Sequence, residues 1–236
     1  MSDSFFDYTK VVDYPIFLDL VKTPDQMKIF VTNINEHHSY KKFSMSPTRN
    51  LRFNVYETKS GNNVGSIGLS SATIAISCRD KYIGWNKEIR LKNLGMIANN
   101  SRFVLVKNRI TIDNVGSMTL KRLEVDGKKY WKDRYLQDLL FLETYIEPAE
   151  NRIGCVYKSA NWIEIGHTAG NSIRKGPLKL WVKEKGIRGE LARTDPKAAL
   201  EKYGYKDGKE YIITKSPVKI MFIKPLVWNW KKLLLS

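Results

Sequence analysis

Proton transfer is the first chemistry that the residue types allow. The sequence has three histidines, His37, His38 and His167, and an unperturbed imidazole titrates near neutrality, where a side chain can take up and release a proton. His37 and His38 stand in Asn35-Glu36-His37-His38-Ser39-Tyr40, at the expected end of a helix, so His37, His38 and Tyr40 are candidate catalytic groups. Their bland alternative is an exposed pair of helix-end histidines interacting with the C-terminal dipole. Asp80, beside Arg79 in Arg79-Asp80-Lys81-Tyr82-Ile83-Gly84-Trp85, completes that set. There Asp80 orients a histidine or a substrate amine and Arg79 contacts phosphate, or the two form an ordinary ion pair.

A second group of residues suits nucleic acid. Asn99, Asn100 and Arg102 offer amide edges and a guanidinium that can read bases, although an asparagine there can equally cap a preceding helix. Trp85, Tyr157 and Trp162 can stack on bases or pack in a core. Tyr157, Asn161 and Trp162 belong to the stretch Ile153 to Gly170, IGCVYKSANWIEIGHTAG, whose glycines at 166 and 170 permit close backbone approach. Arg174 and Lys175 follow it, with Lys179, Lys183 and Lys185 beyond, as a candidate phosphate-contacting flap or a solvated loop.

Charge supports the second group. Forty Lys and Arg against 24 Asp and Glu leave a net +16. An excess of that size favours a polyanionic partner, because neutralising phosphates releases counterions. DNA or RNA is the expected partner, within a multi-protein assembly, and no membrane is expected. Cys78 and Cys155 are the only cysteines, and their spacing fits neither a zinc motif nor a disulfide framework, so a reduced, cytoplasmic setting and no metal are expected. The start lacks a signal-peptide pattern, and no stretch approaches the ~20 apolar residues of a membrane span. Phosphate-loop, H-E-x-x-H and G-x-S-x-G patterns are missing, which removes the usual forms of nucleotide hydrolysis, zinc catalysis and serine esterase chemistry.

The elements that must position these residues can be read in order. Asp7 to Val21 reads as an arm leading into a short helix. A helix follows Thr23-Pro24-Asp25, with Met27, Phe30, Val31 and Ile34 at helical spacing. Arg52 to Thr58 alternates as a strand, Ser60 to Asn63 is a hairpin turn, and Val64 to Leu69 returns as the next strand. Charge and glycine at 79–85 break the pattern. Lys87 to Ile97 reads as helix, Phe103 to Val106 as strand, and Val115 to Tyr135 as helical pieces interrupted at Gly127. Leu139 to Ile146 and Val218 to Ile223 are further strands, separated by a polar insertion near 187–209.

Taken together, His37-His38-Ser39-Tyr40, Val64 to Gly68, Arg79-Asp80 with Ile83-Gly84-Trp85, Asn99 to Phe103, Leu142-Glu143-Thr144, Cys155 to Tyr157, Ala160-Asn161-Trp162, Gly166 to Gly170 and Pro217 to Leu226 form one ordered set. In that order they resemble the DruA-like family, known from Druantia anti-phage systems and transposon-associated proteins. The resemblance covers most of Asn35 to Leu226. It implies an α+β fold, a GNAT-like (acyltransferase-type) mixed and mostly antiparallel sheet flanked by helices, with a fainter likeness to the Mom-type phage proteins that modify adenine in DNA. The implied organisation is an N-terminal arm over 1–22, one GNAT-like domain over 23–226 and a C-terminal tail over 227–236. Acyl-CoA is the cofactor such a fold implies, but its pyrophosphate signature, Q/R-x-x-G-x-G/A before a helix, is missing here. Two functions follow: a nucleic-acid-binding enzyme modifying a base by acyl-transfer-like chemistry, or a DNA- or RNA-binding module without chemistry in a defence, transposition, replication or virion assembly.

Overall fold

Alternating strands at the start of the chain must hydrogen-bond to something, and they build one edge of a seven-stranded sheet. The computed structural model describes residues 14–38, 42–45, 48–148, 153–168, 171–175, 211–215 and 218–235. In chain order the elements are β1 (Ile16–Leu20), α1 (Pro24–His37), β2 (Asn50–Glu57), β3 (Asn63–Ser71), α2 (Ser77–Ile83), α3 (Lys87–Asn93), β4 (Ile97–Leu105), α4 (Val115–Tyr135), β5 (Phe141–Ile146) and α5 (Cys155–Ser159). They continue as β6 (Ile163–His167), β7 (Asn171–Lys175), β8 (Tyr211–Lys215), β9 (Ile220–Pro225) and α6 (Trp230–Leu235).

The chain divides into two compact units. The larger comprises Met1–Ile146, Gly154–Gly166 and Met221–Ser236, and the smaller Glu147–Ile153 and His167–Ile220. Within the smaller unit β7 pairs antiparallel with β8, Asn171 opposite Lys215 and Lys175 opposite Tyr211. The polar insertion near 187–209 and the flap lysines lie outside the described residues.

The large sheet runs β1-β2-β3-β4-β5-β9-β6. Its first four strands form an antiparallel meander. β4 then pairs with β5 in parallel, but only through Ile97↔Phe141, Ala98↔Leu142 and Asn99↔Glu143. This is the mostly antiparallel, helix-flanked α+β sheet that the resemblance implied.

Local chemistry explains the helices. Thr23 and Gln26 cap α1 reciprocally, Pro24 occupies its first turn, and Phe30 and Ile34 bury against Val104 of β4. α4 is one helix of 21 residues without a break at Gly127. A Cβ there would come 3.1 Å from Leu69 Cδ1, so the glycine lets the helix lie close on the sheet. Three other expectations are corrected. The segment before α1 is strand β1, because Ile16 and Leu18 point to one face and pair with β2. Residues 77–83 are helix α2, ended by Gly84 in the left-handed region. Asn99 to Arg102 lie inside β4, so none of them caps a helix.

Arg79 of α2 holds this part of the fold together. Its guanidinium is 0% exposed and donates to Asp80 Oδ1 (2.7 and 2.9 Å), Glu143 Oε2 (3.0 Å) and the carbonyls of Thr73 (2.8 Å) and Ile74 (3.3 Å). Those bonds use all five of its N–H groups. Arg90 of α3 closes on the other Asp80 oxygen at 2.8 Å. The C-terminal stretch is likewise tied in, since Trp85 Nε1 and Asn93 Nδ2 both donate to Leu234 O of α6, at 2.6 and 3.0 Å.

Removing one partner of such a buried set leaves an uncompensated charge, whereas removing both replaces it by apolar surface. Arg79→Met is therefore expected to lower the unfolding free energy by about 3–5 kcal/mol. The double variant Arg79→Met with Glu143→Leu should recover part of that loss, as read by denaturant titration.

Candidate nucleic-acid interface

The pairing of β4 with β5 ends at Asn99↔Glu143, and what lies beyond it decides whether a ligand can enter there. Opposite β3, β4 carries a bulge between Asn100 and Arg102 that leaves Ser101 unpaired. The Asn100 amide turns back to the Gly68 and Arg102 carbonyls, at 3.3 and 3.2 Å. Its Oδ1 accepts from the Tyr157 hydroxyl at 2.8 Å, and its backbone carbonyl accepts from Thr144 Oγ1 at 3.0 Å. β5 and α5 thus both reach across to β4 beyond the last paired residue.

Aromatic rings fill what remains. Tyr157 stacks on Phe222 of β9 and meets Trp162 and Phe103 edge-on, with centroids 5.8, 5.0 and 6.3 Å apart. Gly154 has φ 81°, and a Cβ on it would lie 2.4 Å from Phe222. The first turn of α4 is closed as well, because a Cβ on Gly116 would lie 2.4 Å from Val156 Cγ2. Glycine there makes room for Val156 of α5. The residues present at this point do not fit acyl-CoA.

The residues singled out in the sequence therefore separate. Asn100, Tyr157 and Trp162 come together as core, so the stacking of bases on Tyr157 or Trp162 is corrected to burial. Trp85 is also buried. Arg79 has no donor left for phosphate, and both Asp80 oxygens accept from arginines, so neither serves the role expected of it beside a histidine. His37 lies 3.8 Å from Glu36 at the end of α1. His38 is the C-cap of that helix, its backbone N–H bonded to Ile34 O. Asn99 pairs with Glu143 in register, and its side-chain oxygen has no hydrogen-bond partner among the described residues. Arg102 donates to Ser101 O at 2.7 Å. The roles expected of Tyr40 and of the Arg174 and Lys175 side chains lie outside the described residues.

Asn161 leads elsewhere. It sits at φ 59°, in the left-handed region, in the turn between α5 and β6, and it lines a pocket of roughly 1090 Å³ with α4 and the end of β9. Glu124, Lys128 and Lys132 face this pocket from successive turns of α4, four residues apart. Lys224 enters from β9, and Trp228 stands at the following turn, 80% exposed. Lys224 Nζ donates to Ala160 O at 3.2 Å and lies 3.5 Å from Glu124 Oε1, outside hydrogen-bond geometry. Lys132 pairs with Asp138 at 2.9 Å, both well exposed, so that cation stays within reach of solvent.

Glu124 is the unusual group. Burial raises its pKa to about 7, against the opposing pull of Lys224, Lys121 and the facing Trp162 indole. Glu124 Oε1 is ion-paired with Lys224 and faces the Trp162 indole, and both Glu124 Oε1 and Trp162 Nε1 are buried at separations just outside ordinary hydrogen-bond geometry. Lys224, Glu124 and Trp228 were not candidates in the sequence. The four-residue spacing of 124, 128 and 132 was readable there, but the approach of β9 that turns it into a pocket was not.

A carboxyl whose pKa is higher folded than unfolded binds more protons in the native state, so its contribution to stability falls as pH rises from its unfolded value through its folded one. With about 7 in the folded chain and an ordinary value of 4.5, raising pH from 5.5 to 8 should cost about 2 kcal/mol through this group. Denaturant titrations at the two pH values should show that decrement in the native chain and lose it in Glu124→Gln.

Among the described residues no helix is long and apolar enough to cross a membrane. Solved acetyltransferase structures resemble the chain at low identity. A spermidine N-acetyltransferase from Vibrio cholerae in complex with CoA and spermine is 9% identical, with 94% of this chain and 99% of that one covered and a TM-score of 0.46. The ribosomal-protein alpha-N-acetyltransferase RimL is 7% identical, with 75% and 70% covered and a TM-score of 0.38. No curated protein matches the sequence. The family described as Druantia protein DruA matches residues 1–215, and with nearly the whole chain spanned, the protein belongs to that family.

Proposed function

We propose that the chain binds nucleic acid through the face of α4 and the end of β9, as a non-catalytic module of a defence or mobile-element assembly. The observation that carries this reading is the pocket lined by Lys128, Lys129, Lys132 and Lys224 with an exposed tryptophan at its rim, on a chain of net charge +16. Lysine rows supply phosphate contacts, which dominate affinity and carry little sequence information. An exposed aromatic ring adds a surface on which an unstacked base can rest. Membership of the Druantia protein DruA family supports the setting.

Base modification by acyl transfer draws less support. The β4–β5 divergence is spanned by Thr144 and Tyr157, and the start of α4 is packed by Val156. The histidine–aspartate pairing that such chemistry would use is replaced by arginine–aspartate pairing.

Binding measured against salt tests the proposal. Each phosphate-contacting lysine contributes roughly 0.7–0.9 to the slope of log K against log salt. The triple variant Lys128→Gln, Lys129→Gln and Lys132→Gln should lower that slope by about 2 and keep its thermal transition. Salt-insensitive binding by the native chain, or an unchanged slope in the variant, would overturn it.

A further inference from the structure

We infer that Arg49, Arg52 and Arg134, gathered about Tyr135 where β2 begins and α4 ends, form a second contact for the phosphates of a bound nucleic-acid strand. This rests on the nucleic-acid reading above and extends it from the lysines of α4 to a different side of that helix.

Tyr135 is the fixed point of the cluster. Its hydroxyl donates to Asn50 O at 2.8 Å and accepts from the Asn50 N–H at 2.6 Å, which ties the last residue of α4 to the first of β2. Arg49 and Arg134 both stand against its ring, their guanidinium carbons 5.2 and 5.8 Å from the centroid. Arg52 of β2 lies 5.7 Å from the Phe43 ring in the same way. Aromatic faces hold guanidinium planes in place without engaging their N–H groups.

Most of those N–H groups are open to a ligand. A guanidinium has five, and among the described residues each of these arginines makes one hydrogen bond: Arg49 to Gln137 Oε1, Arg134 to Asn50 O at 3.3 Å and Arg52 to Met45 Sδ at 3.5 Å. Arg49 and Arg134 are exposed and Arg52 is half-buried.

Charge sets the three apart from other arginines of the fold. Arg79, Arg90 and Arg122 each meet a carboxylate at 2.7 to 2.8 Å. Among the described residues no carboxylate forms an ion pair with Arg49, Arg52 or Arg134, and Asp138 is taken by Lys132. Arg52 has its pKa lowered, by burial first and then by the Arg134 cation, and like charges held together are relieved when an anion binds. The dipole of α4 accounts for Arg134 in its last turn, but not for Arg49 and Arg52, which belong to the β2 segment. Phosphate is the anion whose paired oxygens match several guanidinium forks. Residues two apart on a helix face different ways, so Lys132 and Arg134 serve two sides of α4, and a strand rounding its end meets both.

Fluorescence anisotropy over a salt series, with a single strand of about 16 nucleotides, tests this. Arg49→Gln with Arg134→Gln should lower the slope of log K against log salt by about 1.4, and joining these to the three lysine changes should lower it by about 3.5. Arg52, being half-buried, is left in place. Arg49→Lys with Arg134→Lys should restore the native slope, because counterion release follows charge. An unchanged slope in the arginine-to-glutamine variant, with or without a lowered thermal transition, overturns the second contact, and leaves the lysine reading standing if the lysine variant still loses about 2. No binding of the strand by the native chain overturns both. Inorganic phosphate that displaces the strand at constant ionic strength and millimolar concentration, an effect absent from the arginine variant, would mark a free-phosphate site and overturn the assignment to a strand.

Discussion

The buried contact between Arg79 and Glu143 is the interaction on which the rest of this molecule depends. Both side chains are 0% exposed, and each would be prohibitively expensive to bury without the other. Because Arg79 also holds Asp80 and the carbonyls of Thr73 and Ile74, one guanidinium fixes the turn after β3, helix α2 and the start of β5 relative to one another. Arg90 extends the same set to α3. β5 is thereby held where it pairs in parallel with β4. Its later residues and α5 then take up the positions that close the divergence from β4.

Tyr157, Phe222, Trp162 and Phe103 pack against one another where β4 and β5 part. Burying four rings stabilises the core and satisfies the tyrosine hydroxyl through Asn100. Beside this cluster, Glu124 Oε1 is buried 3.5 Å from Lys224 Nζ. At the face of α4, lysines and an exposed tryptophan line a pocket around a carboxyl whose pKa burial raises to about 7.

Much of this was legible in the sequence. The period-two patterns of β2 and β3, the capping box of α1 and the ordered motifs from Asn35 to Leu226 led to the right fold and family. What misled was composition read locally. Arg79, Asp80, Tyr157 and Trp162 are residue types that bind phosphates and bases, and at these positions they are buried. A charged or aromatic residue looks the same in a sequence whether it faces water or a partner 64 residues away, as Arg79 faces Glu143. Gly127 was read as a helix interruption for the same reason, since it makes room for Leu69 of another element. The pocket depends on β9 returning beside β5, a pairing that local periodicity cannot specify.

The most direct measurement is ultraviolet cross-linking of a single strand carrying one 4-thiothymidine, followed by peptide mass spectrometry. Adducts on the peptide containing Trp228, lost when an unmodified strand competes, are the predicted result. Adducts confined to peptides outside α4 and the segment from Lys224 to Trp228 would contradict the account.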